Sequence, residues 1–135
     1  MNLEKARQII EEAGYGVVAT CADGRPRCRP MAFVVTDGFR LWSSTYRSSG
    51  KVREFMDNPR VEVCFVGKDK FHLRVDGIVD LSGGAEKKEK LLTMNPKIRR
   101  HFSGKDDDKF VHVEIVPTRL RWMPPGFGEY TVEEP

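Results

Sequence analysis

Between Leu41 and Lys51 the chain reads Leu-Trp-Ser-Ser-Thr-Tyr-Arg-Ser-Ser-Gly-Lys, with the hydroxyls of Ser43, Ser44, Thr45, Ser48 and Ser49 crowded together. The run sits where an apolar strand pattern gives way to a helical one. Lys51–Met56 carries Val52, Phe55 and Met56 on one side, and Asn58-Pro59 stops it. Free backbone amides at a helix N-terminus attract an anion. Hydroxyls add neutral donors, and the Lys51 ammonium can meet a phosphate. The spacing is not that of a P-loop, because G-x-x-x-x-G-K-[ST] is absent. The competing reading is a solvated loop in which Ser48 or Ser49 only caps the helix.

A second segment with chemical potential is Arg27-Cys28-Arg29-Pro30-Met31-Ala32. Pro30 cannot donate a ladder bond, so its strand is expected at a sheet edge or open onto a ligand. Arg29 is a second cation for a phosphate. Asp37-Gly38 reads as a type I′ hairpin turn, which would fold the strand Arg27–Thr36 back against Phe39–Ser43 and bring Arg29 near the hydroxyl-rich loop. Other reactive side chains are less organised. His72, His101 and His112 lack metal-ligand spacing, so no metal site is expected. Cys28 reads as packing, Asp106–Asp108 as a solvated loop, and Arg99-Arg100-His101 with Lys97 and Lys105 as a solubilising face.

The elements that must position these residues form a strand-rich body. A helix is expected over residues 2–13, with Asn2 as its cap, Leu3, Ala6, Ile9, Ile10 and Ala13 as its apolar stripe, and Gly14 as its end. Strands are expected at Tyr15–Thr20, Arg27–Thr36, Phe39–Ser43, Val61–Val66, Phe71–Leu81, Phe110–Val116 and Thr118–Met123. Gly77 marks a bulge or close approach in the fifth of these. A third helix follows Gly83-Gly84 over residues 85–94, and residues 95–109 form a polar connection. Hairpin turns and alternation point to a mainly β fold, an antiparallel, Greek-key-like barrel with flanking helices. Residues 1–123 make a single domain, and residues 124–135 a surface arm.

Composition narrows the function. With 135 residues, the chain holds one core. A net charge of +3, from 23 basic and 20 acidic residues, argues against a polyanion-binding surface, so no nucleic acid is expected. No apolar run approaches a membrane span, and the first residues lack the apolar stretch of a signal peptide. Three cysteines without Cys-x-x-Cys spacing suit a reducing cytoplasm.

Four motifs then occur in order: Gly24-Arg25-Pro26-Arg27-Cys28-Arg29-Pro30-Met31, Trp42-Ser43-Ser44-Thr45, Ser49-Gly50-Lys51 and Asn58-Pro59-Arg60-Val61. Together they resemble the pyridoxamine 5′-phosphate oxidase-like flavoproteins with the FMN-binding split barrel, over roughly residues 10–123. The length resembles the small general-stress-protein branch.

The resemblance implies that FMN is the cofactor. Arg29, Pro30, Met31 and Ala32 would line the flavin, with Arg29 the positive group near its N1 side. Ser44 and Thr45 would contact the ribityl phosphate region. Lys51, with Ser49 and the Gly50 backbone, would bind the phosphate. The family usually has Arg where this chain has Gly50, and Arg47 or Arg53 would compensate. His72 stands where the oxidase has a Gln that reaches the flavin from the second subunit, and Trp122 would cover the ring.

The implied assembly is a homodimer with cofactor sites at the subunit interface, and Trp42 and Phe33 near an exposed Pro30 strand suit that. Val34 replaces a lysine of the oxidase, and the oxidase's C-terminal Arg motif has no counterpart after Trp122, so the resemblance does not extend to a vitamin B6 substrate. It implies an FMN-binding oxidoreductase or electron-transfer protein, with substrate and catalytic residues unassigned. The alternatives are a non-catalytic FMN-binding stress protein, or a split barrel holding haem or deazaflavin instead.

Overall fold

A computed structural model describes residues 3–135. Its order is α1 (Glu4–Ala13), β1 (Tyr15–Ala22), β2 (Arg25–Ala32), β3 (Val34–Val35), β4 (Leu41–Tyr46), α2 (Gly50–Asp57), β5 (Arg60–Val66), β6 (His72–Asp80), α3 (Ala85–Met94), a 3-10 turn (Pro96–Arg100), β7 (Phe110–Met123) and β8 (Thr131–Glu133). All pairings are antiparallel, in the order β2-β1-β5-β6-β7-β4-β3, with β8 added beside β7. The sheet curls into a half-barrel, so the expected mainly β split barrel with flanking helices is the fold.

Alternation decides what the curl encloses. Val18, Val63, Phe65, Leu73, Val75, Val113 and Ile115 point inward and are buried, and α1 closes that core with Ala6, Ile9 and Ile10. The expected Asn2 cap lies outside the described residues. Leu3 occupies the cap position, and no side chain caps the helix. Gly14 ends it at φ 72°, its N–H donating to Ile10 O at 2.9 Å. The outer face of β4 and β7 carries a second cluster. Trp42 and Phe110 lie there under Leu91 and Leu92 of α3, and Ile98 and Phe102 extend it.

Three expectations change. The turn at Asp37-Gly38 is a three-residue loop. Neither residue has positive φ. Phe39 does, at 57°, and its N–H donates to Thr36 O at 3.0 Å. A left-handed L-residue costs roughly 1–2 kcal/mol. Burying the phenyl ring, with the Arg7 guanidinium 5.5 Å above it, offsets that with about 2–3 kcal/mol. The strand expected at Arg27–Thr36 breaks at Phe33, so β2 pairs with β1 alone and never with β4.

Phe110–Val116 and Thr118–Met123 are one strand rather than two. Pro117 is tolerated because the register shifts there, opposite Gly77. The approach is close enough that a Cβ on Gly77 would lie 2.5 Å from Ile115 Cγ2. In the tail, Thr131–Glu133 returns to pair with Leu120–Trp122.

One buried group sits uneasily in this packing. His112 is fully buried, and neither ring nitrogen has a hydrogen-bond partner among the described residues. The Trp42 ring meets it edge-on at 4.7 Å, and Gly83 passes so near that a Cβ would lie 2.6 Å from Nδ1. Trp42 Nε1 donates to Glu114 Oε1 at 2.7 Å, and Lys87 Nζ approaches that oxygen at 3.3 Å. Burial pushes the imidazole pKa down to about 4, against the pull of Glu114.

The unfolded chain therefore takes up this proton first as pH falls. The stability that neutral His112 provides is whole above about pH 6.5, and about 3 kcal/mol of it is gone by pH 4. His112→Leu is expected to lose that dependence, gaining on the wild type by this amount between pH 7 and 4 in urea unfolding. Parallel pH profiles would refute it.

Candidate functional site

Strand β4 pairs with β7 along Leu41–Tyr46, but β3 covers its other edge only at Leu41 and Trp42. The edge of Ser43–Tyr46 is left without a strand partner. The end of β2 has the same deficit, because Pro30 lies on an edge strand and the chain breaks at Phe33. Between these two edges lies a cavity of about 540 Å³. Pro30–Phe33 form one wall and Ser43–Tyr46 the other, with Lys51 and the segment Asn95–Phe102 completing it.

At one end of this cavity the hydroxyl-rich loop does specific work. Lys51 Nζ donates to Thr45 Oγ1 at 3.1 Å and to Ser49 Oγ at 3.0 Å. Ser49 stands at the cap position of α2, yet its hydroxyl does not cap the helix. The simple capping reading therefore fails. The ammonium and two hydroxyls converge on one corner, at the start of α2, whose first turn has no side-chain cap. Burial, and then the nearby Arg29 charge, lower the Lys51 pKa, with Glu54 opposing.

Arg29 is oriented differently from the sequence expectation. Its guanidinium donates to Glu54 Oε1 at 2.8 Å, to Thr20 Oγ1 at 2.9 Å and to Val18 O at 3.2 Å. It does not line the cavity. Arg47 and Arg53, expected to stand in for a cation at Gly50, are also engaged elsewhere. Arg47 Nε donates to Asp108 O at 2.8 Å, and Arg53 pairs with Asp57 at 3.7 Å on the exposed side of α2.

Of the residues singled out in the sequence, Pro30, Met31, Ala32, Ser44, Thr45 and Lys51 meet around this one cavity. Ser49 touches Lys51, and Gly50 opens α2 beside it. His72 and Trp122 stand apart. His72 Nε2 meets Tyr130 Oη at 2.8 Å, and Trp122 packs against the main core opposite Leu73. Phe33 and Trp42 are buried within the chain, in the main core and under α3.

Sequence reasoning missed the wall at Asn95–Phe102. Its signal was Pro96 at the first position of the turn, with Lys97 and His101 four residues apart. Tyr46 Oη lies 3.2 Å from His101 Nδ1, and Phe102 stacks on Phe110 at 4.6 Å. Cys21 and Cys28 are exposed, and burial raises the pKa of the Cys64 thiol. Among the described residues, no group of three or more His, Cys, Asp or Glu is placed to hold a metal ion, and no helix is long and apolar enough to cross a membrane.

Glu54 is the electrostatic counterweight of this corner. Desolvation disfavours its charge, but hydrogen bonds from Thr20 and Arg29 outweigh that and hold the carboxyl below its usual range. The stabilisation is present above the ordinary carboxylate range and is lost as pH falls through the lowered value. Glu54→Gln leaves the Arg29 guanidinium without its counterion, and the expected loss is roughly 1–3 kcal/mol at pH 7 by urea unfolding. The deficit should shrink on acidification; a deficit constant with pH would contradict this account.

Comparison with known proteins agrees with this fold. The chain is 30% identical over 127 residues to General stress protein 26 of Bacillus subtilis (strain 168), covering 91% of this chain and 89% of that one. A NimC/NimA family protein from Clostridium acetobutylicum superposes with a TM-score of 0.84 at 20% identity, over 98% of this chain and 92% of that one. A pyridoxamine 5′-phosphate oxidase-related, FMN binding protein from Nostoc punctiforme PCC 73102 superposes at 0.76 and 14% identity, over 98% and 88%. A heme binding protein from Mycobacterium smegmatis superposes at 0.80 and 18% identity, over 97% of this chain and 57% of that one. Residues 3–123 match the family model described as pyridoxamine 5′-phosphate oxidase, and the chain belongs to that family.

Proposed function

We propose that this protein binds FMN in the cavity between β2 and β4 and acts as an oxidoreductase or electron-transfer protein. The observation that carries the reading is the Lys51 corner. It combines a partly buried ammonium, the Thr45 and Ser49 hydroxyls and a helix start without a side-chain cap. Such a donor set suits a phosphate monoester. Family membership and the FMN-binding relative from Nostoc support the same cofactor.

In this reading Lys51, Ser49 and the α2 amides hold the phosphate, and Ser44 and Thr45 flank the ribityl chain. Pro30, Met31 and Ala32 border the ring, whose polar edge would meet backbone groups of the unpaired strand edges. When bound, FMN supplies one- and two-electron chemistry. The chain's part is to anchor, orient and desolvate. A homodimer completes the reading, with His72 and Trp122 offered to the other protomer's cofactor, since neither reaches its own cavity.

Haem is the second reading, supported by the Mycobacterium smegmatis relative and by His101 in the cavity wall. The phosphate-like donor set favours FMN over it. An absorbance spectrum of the purified protein separates the two. Flavin bands, or uptake of added FMN, support the proposal, a Soret band selects haem, and colourless protein that ignores FMN refutes it. A deazaflavin would show a blue-shifted band.

Lys51→Ala is expected to cost about 1–3 kcal/mol of FMN affinity and little riboflavin affinity, by fluorescence titration. The pH profile follows from the charges. Affinity should fall as pH rises through the lowered Lys51 pKa, and again below about pH 6, where the phosphate takes its second proton. A flat profile, or equal losses for both flavins, would remove Lys51 from the phosphate site.

A further inference from the structure

A phosphate monoester carries about −1.5 to −2 charges at neutral pH, and the Lys51 corner offers one cation. The nearest candidates for a second are committed elsewhere. Arg29 bonds Glu54, and Arg27 reaches toward the same carboxylate at 4.0 Å with its side chain 56% exposed. Arg47 bonds Asp108 O, and Arg53 faces Asp57. Only one other lysine or arginine among the described residues lines the cavity, and that is Lys97. Nearby Arg99 is drawn away to Glu89 at 3.8 Å, but no carboxylate among the described residues pairs with Lys97.

We propose that Lys97, carried on the 3-10 turn Pro96–Arg100, is the second cation of the phosphate site. This rests on the reading of the cavity as an FMN site and adds to it a residue from a separate segment. The turn that carries the exposed Lys97 is itself anchored. Ile98 and Phe102 are buried in the second cluster, and Tyr46 packs on Phe102 at 4.9 Å while its hydroxyl meets His101. Tyr46 follows Thr45, the hydroxyl that holds Lys51, so the turn is fastened beside the Lys51 corner. A bound phosphate would then bridge α2 and the turn, joining two walls that no described ion pair connects.

Gly50 makes the idea testable by rescue. It opens α2 next to Lys51, its φ is not positive, and a Cβ there meets nothing within 4 Å. FMN and riboflavin would be titrated into the wild type, Lys97→Gln, Lys97→Arg and the double variant Lys97→Gln/Gly50→Arg. Lys97→Gln should weaken FMN about tenfold and leave riboflavin unchanged. Lys97→Arg should bind FMN as the wild type does, and Gly50→Arg should restore what Lys97→Gln loses. Wild-type affinity for FMN in Lys97→Gln, or equal losses for both flavins, overturns this proposal while leaving the FMN reading intact. Failure of the wild type to bind FMN overturns both.

Discussion

The pairing between β2 and β4 that the sheet does not make governs the rest of the molecule. A curled sheet with an ordinary hairpin at residues 36–40 would let β3 run along all of β4 and seal the barrel. Instead β3 stops after Val35, Phe33 interrupts the run from β2, and Pro30 withholds a donor from its edge. Each device is local and small. Together they leave two strand edges facing each other across a cavity. Unpaired edges exposed to solvent invite other chains, but here they are walled in by α2 and the turn after α3. Their residues line the cavity.

Charge at this site is arranged by exclusion as much as by attraction. Glu54 absorbs Arg29 and draws Arg27 toward it, so the strongest donors near α2 do not reach the cavity. What remains are two lysines, Lys97 in the far wall and Lys51, its pKa lowered and its ammonium held by two hydroxyls. A guanidinium free in the cavity would attract any carboxylate or phosphate. An ammonium is a point charge without the guanidinium's fork, so its neighbours set the direction from which a partner can approach.

How far the sequence leads depends on the range of the physics involved. Alternation in Val61–Val66 and Phe71–Leu81 reports a local period, and both strands form close to where expected. The Ser-Gly-Lys helix start and Pro30 likewise carry local signals, and both lie at the cavity. The orientation of Arg29 has no such local signal, because its partner, Glu54, is 25 residues away and on another element. The Asp37-Gly38 turn yielded to the burial of Phe39, a tertiary gain that no dipeptide rule contains. Lys97 and His101 looked like a solvated face because only Ile98 and Phe102, docked on a cluster assembled from β4, β7 and α3, turn that segment toward the cavity.

The small strand β8 has a meaning beyond its three residues. It covers Leu120–Trp122 of β7, downstream of the segment paired with β4. The tail thus occupies backbone groups that would otherwise stand as an open strand edge. Backbone groups make the contact. A molecule clipped by a protease before Tyr130 would keep its core and its cavity but present a bare three-residue template to every other copy in solution. Its first symptom would be turbidity rather than loss of ligand.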